Sequence, residues 1–200
     1  MKRLQLGLSI FGVITSIIAV GVSLYANNIS GKAYQLALDG FNAERRIALR
    51  TISHEDHIEF KPLEESQQVH DITIFFPSKL DIDPIVVTPP ELLVYHTRIN
   101  PQIQRYVEKI FPPKKDIAQV ALNYPIPALI LLHGYSKGYA SMSAGLYDFV
   151  YEVTRLEDGA RIQLKSAALN NFIHQADDPQ ALIDALVAQL DSKTSNSALR

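Results

Sequence analysis

The chain has 200 residues, of which 47% are hydrophobic and 20% charged, with a net charge of −2 and no cysteine. That length suits one folded domain plus its termini. Scattered Lys and Arg give nucleic-acid binding no electrostatic support, and the missing thiols exclude disulfides, thiolate catalysis, Cys-ligated zinc and an acylated lipoprotein anchor.

Lys2-Arg3 opens onto the uncharged run Leu4–Ala26, and the next charged residue is Lys32. Such a run, wound as a helix, reaches about 30 Å, the thickness of a hydrocarbon core. The expectation is therefore a cytoplasmic tip at 1–3 and a single transmembrane helix at 4–26. A cleaved signal peptide is the alternative, with small residues at Gly21-Val22-Ser23. The run is long for an h-region, which usually covers about 7–15 residues. The positive-inside rule places the N-terminus in the cytoplasm and the remainder outside it, in a periplasm or the extracellular space. Ser9, Gly12, Ser16, Ala19, Ser23 and Ala26 recur at steps of three and four, one narrow stripe on a helix. The expected partners are thus the lipid bilayer and a homodimer or partner transmembrane helix. The plain alternative is that small residues are common in membrane helices.

Residues 27–46 read as a juxtamembrane helix or stalk, with Tyr34, Leu38 and Phe41 on one face and Gly31 and Gly40 weakening it. The β-rich domain is expected at 47–190. "RIALRTI" and "HIEFKP" alternate as short strands. In "VHDITIFFP", His70, Ile72, Ile74 and Phe76 face one way, and Val69, Asp71, Thr73 and Phe75 the other. Prolines 84, 89, 90, 101, 112 and 113 then break the chain into pieces. "IVVT" and "LLVYHTRI" read as short or edge strands. "NPQIQRYVEKIF" reads as a helix capped by Asn100, with Pro101 at its first position and Ile103, Val107 and Ile110 as its stripe. "DIAQVALNYPIPALILLHGYS" reads as one strand bent at Pro125 and Pro127. "LYDFVYEVTRL" and "ARIQLK" flank Asp158-Gly159 as a hairpin, with Tyr147, Phe149, Tyr151 and Val153 inward. "DDPQALIDALVAQL" reads as a helix capped by Asp178, with Leu182, Leu186 and Leu190 as its stripe. Residues 191–200 carry no core-forming pattern and are expected to be disordered. The fold class expected is an N-terminal transmembrane helix plus an α+β, mainly antiparallel, sandwich-like soluble domain with two or three short helices.

Three patterns bear on chemistry. Gly134-Tyr135-Ser136-Lys137-Gly138 spells G-x-S-x-G after a hydrophobic run. With the preceding His133-Gly134, "LILLHGYSKG" resembles the nucleophile elbow and the His-Gly element of the α/β-hydrolase family over about ten residues. The resemblance implies Ser136 as nucleophile, with Asp148 or Asp158 and then His174 downstream. An elbow needs a helix after the serine. Here Gly138, Ser141, Ser143 and Gly145 follow, so the competing expectation is a strand end near His133 and a polar loop from Gly134 to Gly145. Gly134 and Gly138 then mark a bulge or a positive-φ position. In "SHEDH", the residues His54, Asp56 and His57 are ligand types for a divalent metal, without H-E-x-x-H spacing. The competing expectation is a solvated turn. Tyr135 and Tyr139 flank the Ser136 segment and suit contact with a protein partner.

No phosphate loop, dinucleotide fingerprint or other cofactor motif is present, so no cofactor is expected. The reading is a membrane-anchored, non-catalytic protein whose β-rich domain serves as an interaction, accessory or sensor module. The rival is a membrane-tethered serine hydrolase using Ser136.

Overall fold

The computed structural model describes residues 23, 25, 29–34, 40, 43–112, 121–156, 159–173 and 177–197. The chain divides into two compact units, Met1–Arg45 and Arg46–Arg200. In the first unit the described residues up to 43 are helical, and 29–34 form the stretch here termed α1.

The expected membrane-spanning helix is corrected. Among the described residues no helix is long and apolar enough to cross a membrane. Helix α2 (His96–Ile110) has only 15 residues and helix α3 (Pro179–Ser197), at 19 residues, carries Asp184, Asp191 and Lys193. Each such charge is costly in a hydrocarbon core. Of the run 4–26, and of the small-residue stripe within it, only Ser23 and Tyr25 are described, and both are helical. Ser9, Gly12, Ser16, Ala19 and Ala26 lie outside the described residues. The fold itself is mostly antiparallel β-sheet with three helices.

The second unit holds two antiparallel sheets. Strands β1 (Leu49–Ser53), β2 (His57–Pro62) and β5 (Leu93–Tyr95) form the smaller, in the order β1-β2-β5. Strands β3 (Gln68–Phe75), β4 (Ile85–Val87), β6 (Ala121–Ser136), β7 (Tyr139–Leu156) and β8 (Gly159–Ile173) form the larger, in the order β4-β3-β6-β7-β8. Period-two alternation decides which face is buried. Ile126, Ala128, Ile130 and Leu132 of β6 and Tyr147, Phe149, Tyr151 and Val153 of β7 all point into one core. Ile58 and Phe60 of β2 and Ile99, Ile103 and Val107 of α2 belong to the same core. Phe76 meets Phe149 edge-on at 5.2 Å between centroids; truncating such a buried aromatic costs about 3–5 kcal/mol.

The chain leading into β1 is stitched to this inner face. The Ile47 amide donates to the Ser143 hydroxyl at 2.8 Å and the Leu49 amide to the Tyr147 hydroxyl at 3.2 Å. The Thr51 hydroxyl donates to the Ala167 carbonyl of β8. These bonds join the edge of the small sheet to β7 and β8 of the large one. Helix α3 covers part of the opposite face, where Ile183 and Val187 pack with Leu129. Asp178 caps α3 as expected, accepting from the Ala181 amide at 3.0 Å. The buried stripe centres on Ile183 and Val187, with Leu182 beside it, and α3 continues through Ser197.

Three local departures from expectation have physical causes. In β3 the register slips between Val69 and Asp71, so His70 is bulged out to solvent while Val69 packs against the core. Strand β6 is not interrupted: Pro125 and Pro127 sit within an unbroken ladder to β7. Two residues apart, they aim their missing donors the same way, along a stretch that β3 does not reach, because β3 pairs with β6 only from Leu129 onward. Helix α2 begins at His96 rather than at Asn100, with Pro101 inside it. Its cap is tertiary: the His96 amide donates to the Asp56 carbonyl at 2.8 Å, satisfying an end that no local side chain caps.

Candidate functional site

The G-x-S-x-G segment is a β-hairpin. Ser136 ends β6, Tyr139 begins β7, and the two pair directly. Lys137 (φ 52°) and Gly138 (φ 79°) form the two-residue turn between them, both left-handed as a type I′ turn requires. The loop expected from Gly134 to Gly145 is thus a continuous ladder with a tight reversal. Ser136 is 0% exposed on the core side, and its Oγ has no hydrogen-bond partner. A strand, not a helix, follows it, so the elbow geometry is missing. Asp158 and His174 lie outside the described residues. Asp148 faces the other side of β7 and accepts from Asn170 at 2.8 Å. Gly134 has a packing role: a Cβ there would lie 2.0 Å from the Gln68 carbonyl oxygen, in the bulged stretch of β3.

His54, Asp56 and His57 do come together, in the turn joining β1 to β2. The imidazoles of His54 and His57 stack at 4.4 Å. His57 Nδ1 sits 2.6 Å from Asp56 Oδ1, and His54 Nε2 lies 3.5 Å from Glu59, which also pairs with Lys61 at 2.9 Å. Hydrogen bonding to His57 holds the Asp56 carboxyl below its ordinary pKa, against a smaller opposing effect of burial. The stacked rings face different carboxylates instead of converging. Among the described residues no three His, Asp or Glu side chains are placed to hold a metal ion.

Tyr135 and Tyr139 are 47% and 56% exposed at the hairpin end, beside Met142 at 71%. Tyr135 leans edge-on to the bulged His70 at 6.5 Å between centroids. Next to it, Asp71 accepts from His133 Nδ1 at 2.8 Å, a cross-strand pair that only the β3 bulge brings into register.

The most built polar site lies elsewhere. A cleft of about 700 Å³ runs along α2 and is closed at one end by the β1–β2 turn. Its wall is a ladder at helical spacing: His96, Asn100, Gln104 and Glu108, with Thr97, Pro101 and Arg105 alongside and Glu55 and Asp56 at the end. His96 is only 8% exposed. Its Nδ1 lies 3.1 Å from the Glu55 carbonyl oxygen. A carbonyl can only accept, so Nδ1 carries the proton and donates. Burial pushes the His96 pKa below its ordinary value, outweighing the Glu55 carbonyl and Asp56, which act the other way. The ring is therefore neutral, and Nε2 holds a lone pair. That atom is buried and has no hydrogen-bond partner.

The rest of the wall is also rich in acceptors. Asn100 Oδ1 receives only a long bond, 3.4 Å, from the Tyr151 hydroxyl. Pro101 has no N–H to give to the Thr97 carbonyl, its partner in an α-helix. Gln104 Nε2 donates to Glu108 at 3.0 Å and to the Ala160 carbonyl at 3.2 Å. Three carboxylates (Glu55, Asp56, Glu108) face one guanidinium, Arg105. The cleft can accept hydrogen bonds and positive charge; its donors are Thr97, Asn100, Gln104 and Arg105. Sequence reasoning missed it because Pro101 hid the start of the helix. The signal was present: four polar residues spaced by four, beside the apolar Ile99, Ile103 and Val107. Compared with known proteins, the chain matches no family model, no curated protein and no solved structure.

Proposed function

We propose that this chain is a non-catalytic binding domain whose α2 cleft recognises a small molecule through that molecule's hydrogen-bond donors, an amine or a hydroxyl group. The observation that carries this is the buried, unpartnered Nε2 of His96 at the wall of the cleft. An orphaned buried acceptor costs about 1–3 kcal/mol, and a ligand donor seated on it recovers that cost. The tautomer is set by a backbone carbonyl, so the ring offers this acceptor without moving its proton.

Binding rather than turnover is supported by the chemistry of the wall. A catalytic base gains strength from a carboxylate on its second nitrogen; His96 has a neutral carbonyl there and is further weakened by burial. The serine suggested by the G-x-S-x-G pattern is sealed inside the hairpin.

The test is ligand-observed NMR with a fragment set of small amines and alcohols, on the chain and on His96→Phe. The expectation is binders that shift residues 96–108 and are lost in the variant. Fragments that bind both proteins equally, or a set that leaves residues 96–108 unmoved, would contradict the proposal.

A further inference from the structure

We infer that a second site, on the neighbouring face of α2, binds a small oxyanion such as phosphate or the phosphoryl end of a phosphomonoester. A pocket of about 70 Å³ lies between α2 and the short 3-10 turn Ser78–Leu80. One water occupies roughly 30 Å³ in the liquid, so the space exceeds a single solvent molecule. Three cations line it, Lys79, Arg105 and Lys109, against one carboxylate, Asp81. In a chain of net charge −2 this is a local excess of positive charge. No ion pair among the described residues uses Arg105 or Lys109. Lys79 is held over the Tyr106 ring at 5.3 Å, which fixes its ammonium at the pocket wall.

Gln102, on the same face, keeps its side-chain oxygen buried without a partner. A half-turn about its terminal bond exchanges that oxygen for an NH2 group. The site then offers an amide donor beside a guanidinium fork and two ammonium groups, the donor set that oxyanions take. Arg105 also lines the His96 cleft, but the inference does not rest on that cleft holding a ligand.

The experiment is titration of the full chain with inorganic phosphate at constant ionic strength, read by amide 1H–15N shifts. The expected result is saturable movement of residues 79–81 and 102–109, competed by sulfate and not reproduced by sodium chloride. Lys79→Gln and Lys109→Gln are each expected to weaken binding about threefold, as exposed charge pairs do, and His96→Phe is expected to leave it unchanged. Shifts that chloride reproduces, that fail to saturate, or that survive unchanged in the Lys79→Gln/Lys109→Gln double variant would overturn the inference. Competition by sulfate on the unmodified chain decides the matter even where a variant folds poorly.

Discussion

His96 donates from Nδ1 to the carbonyl oxygen of Glu55 across 3.1 Å, between the first turn of α2 and the β1–β2 turn. With the amide of the same residue bound to the Asp56 carbonyl, this contact both starts the helix and fixes the imidazole tautomer. Fold and candidate site therefore share one anchor.

A pH dependence follows. The folded His96 binds its proton less readily than the unfolded residue, whose pKa is about 6.5. The associated stability is complete above about pH 6.5 and is lost as the pH falls toward the lower folded value. The charged neighbours are Asp56, which favours protonation, and His57, which opposes it; Arg105 and Glu108 line the same cleft. Urea midpoints measured near neutrality and near pH 5 should fall further for the native chain than for His96→Phe. Equal falls in both would show that another group carries the acid sensitivity.

At neutral pH, His96→Phe should change stability little, within about 1 kcal/mol. It gives up one hydrogen bond to a carbonyl, worth about 1 kcal/mol, and removes an unpaired buried acceptor at a similar cost. Ligand binding at the cleft should disappear with it. Denaturant unfolding separates the two effects; a loss of more than about 3 kcal/mol would mean that the imidazole is structural.

Ser136→Ala should be neutral or stabilising by up to about 1 kcal/mol, because it deletes a buried hydroxyl that has no partner. A fluorophosphonate probe should leave Ser136 unlabelled. Covalent labelling at that position would restore the hydrolase reading.

Gly134 and Lys137 of the motif respond differently from the serine. Gly134→Ala drives a methyl to 2.0 Å from the Gln68 carbonyl oxygen, backbone that cannot step aside, and should cost about 3 kcal/mol, the upper end of overpacking. Lys137→Asn should instead stabilise by about 0.5 kcal/mol, since asparagine accepts the left-handed φ of 52° more readily than lysine. Thermal midpoints of the two variants should move in opposite directions.

Asp184 of α3 accepts from the Ser78 amide at 2.7 Å and from its hydroxyl at 2.6 Å. Burial alone would raise its pKa; these donors and Gln180 hold it below the ordinary value. The stability it lends is present above about pH 3.9 and is lost as the pH falls through the folded pKa. Asp184→Asn should speed amide exchange in α3 while leaving β6 and β7 protected. Exchange unchanged in α3 would mean that apolar packing on Leu129 alone holds the helix.

Legibility in the sequence followed how local each determinant is. The β7–β8 hairpin was readable because four alternating large residues, Tyr147 to Val153, need only a strand's own period. The α3 cap was readable because Asp178 and Pro179 act within one turn. The start of α2 was not, because its capping carbonyls come from residues 55 and 56, forty residues away in the chain. The orientation of His70 was not, because a one-residue bulge reverses a face without leaving a mark in the alternation. The expectation of a spanning helix rested on hydropathy alone and is not met by any helix among the described residues. Ser136 shows the hazard of a short motif: the glycines that suggest an elbow are there for a close backbone approach and a type I′ turn.

The most direct measurement is long-range 1H–15N NMR of the His96 ring at neutral pH. A protonated Nδ1 with a bare Nε2, whose resonance moves when an amine or alcohol fragment binds, is the predicted result. A proton on Nε2, or a doubly protonated ring, would remove the acceptor on which the binding cleft depends.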